Sequence, residues 1–186
     1  MVKSDCNHHA AADMPAFALD PATTPGSAAF LFDNQALPAA IQVDESDNRL
    51  LAKRIGVGVQ VYDYDGAHGK WVFREPQADL YDVRTGVQRG IHFAGPYWAD
   101  ADGSRVRGKL SGDVDAPVDS ARNVKWLRLD AAENFGSAQT ILRQVTFIQR
   151  VVTYGGQPPA NGAPADRDTA SVPYTALYVF WTKKEQ

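Results

Sequence analysis

Cysteine is almost absent from this chain. The one present, Cys6, can form no intrachain disulfide and cannot belong to a multi-cysteine metal site. Histidine is scarce too, with four in 186 residues, and none falls in a His-x-His or His-Glu-x-x-His pattern. His8 and His9 are neighbours whose side chains diverge on any regular backbone, and His68 sits in a turn, so no metal site is expected. Long apolar runs are missing as well. The longest mostly apolar stretch, Val172 to Trp181, is too short to cross a bilayer, and no membrane partner is expected. Excess positive charge is lacking: a net charge of −3 and a pI near 5.8 exclude gripping nucleic acid by overall charge. No phosphate-cradling Gly-x-x-x-x-Gly-Lys-Ser/Thr loop occurs, no Gly-x-Ser-x-Gly elbow occurs, and Gly56-Val57-Gly58 lacks the later glycine and helix of a dinucleotide fingerprint. No cofactor is expected.

What is present reads as strand. Ile55, Val57, Val59 and Val61 alternate with Gly56, Gly58, Gln60 and Tyr62, the period of two of a strand with one face buried, and the paired glycines mark a close backbone approach or a bend. Further strands are expected over Ala28–Phe32, Lys70–Phe73, Ala78–Val83, Gln88–Phe93, Arg105–Leu110, Val124–Leu129, Ile141–Tyr154 and Val172–Thr182. The last is aromatic and β-branched on both alternating faces, as a strand buried between two layers would be. Only Ala36–Glu45 and Ala131–Gln139 have room for a short helix. Roughly eight to ten strands in one domain imply an all-β fold, either a two-sheet sandwich or a closed barrel. That domain is expected over residues 28–186, preceded by an extended arm over residues 1–27 that is rich in Ala, Pro, Asp and Thr. The start of the chain has no apolar stretch of the secretory kind, so a cytoplasmic location is expected, although a chain trimmed of a leader would look the same. Gly155–Pro173, with Gly155-Gly156 and Pro158-Pro159, reads as a long connecting loop.

Chemistry concentrates in Gly90–Ser104. His92 stands there with Tyr97, Trp98, Asp100, Asp102 and Ser104 around Gly95-Pro96 and Asp102-Gly103 turns. Read functionally, His92 is a base or ligand-binding group partnered by Asp100 or Asp102, and Trp98 is a stacking surface. Read structurally, His92 ends a strand, Gly95-Pro96 breaks it, and Asp102-Gly103 turns the chain into the next; a histidine among aromatics is more often a packing residue. Asp63-Tyr64-Asp65-Gly66 and Asp100-Ala101-Asp102-Gly103 are turns and not calcium loops, since the first acidic ligand and the closing glutamate are missing. Arg105, Arg107 and Lys109 put three cations on one strand face, usually a solvated face and otherwise a contact for an anionic partner.

The ordered motifs resemble a bacterial and fungal family of unknown function whose fungal members often carry a malate dehydrogenase label. The matching pieces include Gly58-Val59-Gln60-Val61-Tyr62, Trp71-Val72-Phe73, His92-Phe93-Ala94-Gly95-Pro96-Tyr97-Trp98, Asp102-Gly103-Ser104, Ile148-Gln149-Arg150-Val151 and Val172-Pro173-Tyr174-Thr175-Ala176, over about residues 37–182. The dehydrogenase label finds no support in a strand-rich chain without a phosphate-cradling glycine loop. The resemblance implies a fold and a site candidate and no established substrate. Members that look secreted have cysteines where this chain has Tyr64 and Ala163; that both are absent fits a reducing compartment.

The leading expectation is a non-enzymatic binding domain for a small molecule or carbohydrate-like ligand at His92, Tyr97, Trp98, Asp102 and Ser104. The alternative is a self-assembling protein, a homo-oligomer held through residues 1–27, the acidic arm docking on a neighbour. A third is a hydrolase using His92 with Asp102.

Overall fold

Tyr174, Ala176, Tyr178 and Phe180 point to one side of their strand, and Leu177, Val179 and Trp181 to the other, and both sets are buried or nearly so. One set fills the interior of a barrel. The other lies beneath a covering segment outside it. The computed structural model describes residues 32–160, 162 and 168–185. Within it eight antiparallel strands, β1 (Asn48–Asp65), β2 (Lys70–Asp82), β3 (Gln88–Phe93), β4 (Tyr97–Asp100), β5 (Arg105–Val114), β6 (Trp126–Phe135), β7 (Val145–Gly155) and β8 (Thr169–Lys183), close into a barrel in which each strand pairs with its neighbours in sequence and β8 returns to β1. The fold is all-β, and the barrel is the form it takes. Residues 1–31, and with them the expected arm and all but the last residue of the strand expected at Ala28–Phe32, lie outside the described residues.

Closure puts Arg54, Gly56, Gly58, Gln60 and Tyr62 of β1 on the inner side, the reverse of the face that its valines suggested. The glycines are the reason. A Cβ on Gly56 would stand 2.5 Å from the Tyr178 ring, and one on Gly58 would stand 2.0 Å from the Gln77 carbonyl oxygen. An eight-stranded barrel has an interior just wide enough for side chains, so Tyr178 fits only because β1 offers no side chain opposite it. Two expected strands, Lys70–Phe73 and Ala78–Val83, are one long β2 with Pro76 inside it, and Thr169–Pro173, expected in the loop, already belong to β8.

The segment after Phe32 forms single 3-10 turns at Asn34–Ala36 and Ala39–Ile41 in place of a helix, and the second stretch with room for one, Ala131–Gln139, instead extends β6. Ile41 and Val43 pack on Val151, Val179 and Trp181. Polar anchors fix this strap: Gln149 Nε2 donates to the Ile41 carbonyl (2.6 Å) and to Asn34 Oδ1 (2.9 Å), and the Trp181 indole donates to Gln149 Oε1 (2.7 Å). Those buried side-chain bonds explain how Asn34 and Gln149 can sit in an otherwise apolar layer.

Candidate functional site

His92 and Trp98 are cross-strand partners on β3 and β4, and their rings stack at 4.2 Å with an interplanar angle of 11°. Tyr178 of β8 meets His92 edge-on at 5.2 Å. The imidazole is buried, and its Nδ1 lies 2.8 Å from the Tyr97 carbonyl oxygen. A carbonyl only accepts, so Nδ1 carries the hydrogen and Nε2 keeps its lone pair. Burial lowers the His92 pKa to about 3, with the positive charge of Arg150 adding to the effect and the Tyr97 carbonyl opposing it. His92 is therefore a neutral ring near pH 7 and a feeble base.

Beside these rings lies a cavity of about 110 Å³. Its floor is made of Gln60, His92, Trp98 and Tyr178, all buried. Its rim is made by Phe73 and Pro96, which are partly or fully exposed. The opening follows from strand pairing. β2 pairs with β3 only over Ala78–Tyr81, so the half of β2 that carries Phe73 and Pro76 has no β3 partner, and Pro76 has no N–H to offer one.

Two buried donors on this wall, Gln60 Nε2 and Trp98 Nε1, make no hydrogen bond. The Gln60 amide stands close enough to the Tyr174 hydroxyl to counter slightly the upward push that burial gives that phenol. Tyr174 and Tyr178 hydroxyls bond each other at 2.9 Å. Arg150 of β7 completes the wall. It donates through Nε (3.1 Å) and Nη2 (2.9 Å) to the Lys125 carbonyl, and it forms no ion pair among the described residues. Burial raises Tyr62 and Tyr178 above the usual phenol value; the Arg150 charge counters it at both, and at Tyr178 hydrogen bonds from Tyr174 and from Arg150 counter it too.

The sequence segment singled out as a site is divided by the fold. His92 and Trp98 line the cavity. Tyr97 lies on the outer surface, stacked on Phe93 at 5.6 Å, with the Arg105 guanidinium 5.1 Å from its ring. Asp102 and Ser104 form the β4–β5 turn at the opposite end of the barrel. Asp102 accepts from Ser104 N (2.8 Å), Ser104 Oγ and Ile141 N (2.7 Å), and Ser104 Oγ accepts from Leu142 N (2.9 Å). Burial pushes the Asp102 carboxyl up, and those hydrogen bonds overrule it and hold the group below its ordinary value. None of them reaches His92, so the two residues do not form an acid–base pair. Of the strand cations, Arg107 pairs with Glu133 and Arg105 covers Tyr97 and Phe135.

Gln60 and Arg150 were not singled out as site residues by sequence reasoning. The usable signal was a polar residue on the glycine face of β1 and an arginine amid apolar β7. The larger hollow, about 580 Å³, lies at the start of β1 and is lined by Leu50, Arg54, Asp82, Arg84, Arg89 and Ile141 among others. Its buried cation is already satisfied: Arg54 bonds Asp82 at 3.1 Å and Asp100 at 3.2 Å. Among the described residues no group of three or more His, Cys, Asp or Glu side chains could hold a metal ion.

A family model described as a protein of unknown function (DUF3455) matches residues 45–182, which spans the whole barrel apart from its outermost residues. No curated protein and no solved structure matches the chain.

Proposed function

Since the chain belongs to the DUF3455 family, whose function is unknown, we propose from the geometry of the barrel itself that it is a non-catalytic binding domain taking a small molecule into the cavity beside His92. One observation carries this reading: two residues that line a single cavity, Gln60 and Trp98, each hold a buried N–H donor, Nε2 and Nε1, without a hydrogen bond. Leaving a buried donor unpaired costs roughly 1–3 kcal/mol, and folded proteins retain few such groups without a use for them. A small ligand is favoured over a carbohydrate-like one, because about 110 Å³ leaves little room beside Trp98 for a sugar ring with its hydroxyls. A hydrolase is not favoured, because Asp102 lies away from His92 and burial leaves the imidazole weakly basic.

A fragment library screened by ligand-detected NMR against the full chain tests this. Binders are expected, and Leu127→Phe, which places a ring at the wall of the cavity, should abolish their signal while the far-UV circular dichroism stays unchanged. Binders that survive Leu127→Phe, or a library that yields none, would overturn the reading.

A further inference from the structure

We infer that the occupant of this cavity is a short-chain carboxylate, its oxygens set against Gln60, Trp98 and Arg150 and its alkyl tail against Pro76, Leu127 and Leu129; this rests on the binding reading above.

The unpaired and the charged polar groups of the cavity are donors. An indole N–H and a guanidinium can only donate, and the free atom of Gln60 is its amide nitrogen. The acceptors on the wall, His92 Nε2, the Gln60 amide oxygen and the Tyr178 hydroxyl, are all neutral, and among the described residues no Asp or Glu lines the cavity. A ligand amine or cation would therefore meet hydrogens and positive charge. A neutral alcohol has one oxygen, which can accept from two of the donors at most and brings no charge to Arg150.

Charge narrows the class further. Among the described residues Arg54 of β1 is buried, and Arg150 of β7 is half-buried at the cavity wall. Arg54 has two carboxylates, whereas Arg150 has a backbone carbonyl and no carboxylate among the described residues. Arginine is suited to two-point recognition of a planar anion, and Nη1 is not engaged by the bonds to Lys125. Size and lining set the rest. An apolar cavity of about 150 Å³ holds benzene, so about 110 Å³ has room for a carboxylate with a few carbons. Inorganic phosphate would match the donors and leave Pro76, Leu127 and Leu129 facing nothing.

The experiment is calorimetric titration of the full chain, in a buffer free of carboxylates and phosphate, with butyrate, butyramide, butan-1-ol and butylamine, plus acetate and phosphate. In parallel the indole N–H resonance of Trp98 is followed, assigned by its loss in Trp98→Phe. Butyrate is expected to bind roughly tenfold or more tightly than butyramide, as a charge-assisted pair is worth about 1.5–3 kcal/mol, to exceed acetate and phosphate, and to shift the Trp98 indole signal downfield. Arg150→Met should remove the preference for butyrate over butyramide, and Arg150→Lys should retain part of it. Equal binding of butyramide or butan-1-ol would sink the carboxylate assignment and leave the binding cavity standing. Phosphate matching butyrate would sink the alkyl-tail assignment. Silence from every probe would defeat the inference, and if the fragment screen also yields no binder, the binding reading falls with it. The wild-type comparison decides the matter even if Arg150→Met fails to fold.

Discussion

The two ends of the barrel treat buried polar groups in opposite ways. At the end built from the start of β1 and the β4–β5 turn, the buried charges among the described residues have counterparts: Arg54 faces Asp82 and Asp100, and even the exposed Asp102 collects three donors from Ser104 and Ile141. At the other end Gln60 Nε2 and Trp98 Nε1 have none, and Arg150 has the Lys125 carbonyl and the Tyr178 hydroxyl but no carboxylate among the described residues. The hollow at the satisfied end is about five times the larger, at about 580 against about 110 Å³. The comparison teaches that volume alone does not mark a site. A cleft whose polar groups already pair offers a ligand little beyond what water offers, while a small one with orphaned donors rewards the right occupant.

The strongest way to break this comparison is at the satisfied end. Asp100→Ala removes one of the two partners of a buried guanidinium, and breaking a buried pair in this way costs about 3–5 kcal/mol. Equilibrium urea unfolding should show a loss near the lower figure, since Asp82 still holds Arg54. A loss below about 1 kcal/mol, the ceiling for an exposed pair, would mean that this end is open to water and that the contrast is false.

Ser104→Ala is next in size. The hydroxyl accepts from the buried Leu142 N–H and donates to Asp102, so its removal leaves one backbone donor stranded beneath the 3-10 turn at Leu142–Gln144. A loss of about 2 kcal/mol is expected by the same unfolding measurement. Binding of any cavity ligand should be untouched, because Ser104 lies at the opposite end.

His92 sharpens the contrast through pH. Its folded pKa is lowered to about 3 from an ordinary 6.5, first by burial. Below 6.5 the unfolded chain takes up a proton that the folded protein refuses, so stability falls as pH drops through this window and the loss ends near pH 3. Each pH unit should cost up to about 1.4 kcal/mol. The interval from 6.5 to 5 isolates the effect, since it lies above the range where Asp102 and Asp82, both held low, take up protons. His92→Phe keeps a ring against Trp98 and should flatten the unfolding midpoint between pH 5 and 6.5; an unchanged slope in that variant would show that the imidazole is not sealed.

How much of this was legible beforehand follows the range of the interactions. Val172–Trp181, apolar on both faces, announced a strand with cover on each side, and the turns at Asp65-Gly66 and Asp102-Gly103 fell where local backbone chemistry put them. The direction of β1 was not legible. Valines outrank glycines in any hydrophobic reading, and only closure against Tyr178 turns the glycine face inward. The site was half legible for the same reason. His92 and Trp98 pair across one hairpin, so sequence neighbourhood finds them, but it also swept in Tyr97, Asp102 and Ser104, which the alternation of the strand and the length of β4 send to the outer face and the far end. Gln60 and Arg150 reach the cavity from strands remote in sequence. No local pattern joins residues brought together by barrel closure.

The smallest effect is the most discriminating one. Gln60→Met keeps the volume of the side chain and removes a donor that nothing accepts. A buried polar group in a structural role costs stability when deleted, whereas an orphan kept for a ligand costs stability by being present. Gln60→Met should therefore unfold at the same urea concentration as the parent or slightly higher, a gain of up to about 1 kcal/mol, and should bind butyrate more weakly. A stability loss comparable to that of Ser104→Ala would mean that Gln60 serves the fold through the Tyr174 hydroxyl beside it. The two ends of the barrel would then differ in size and not in kind.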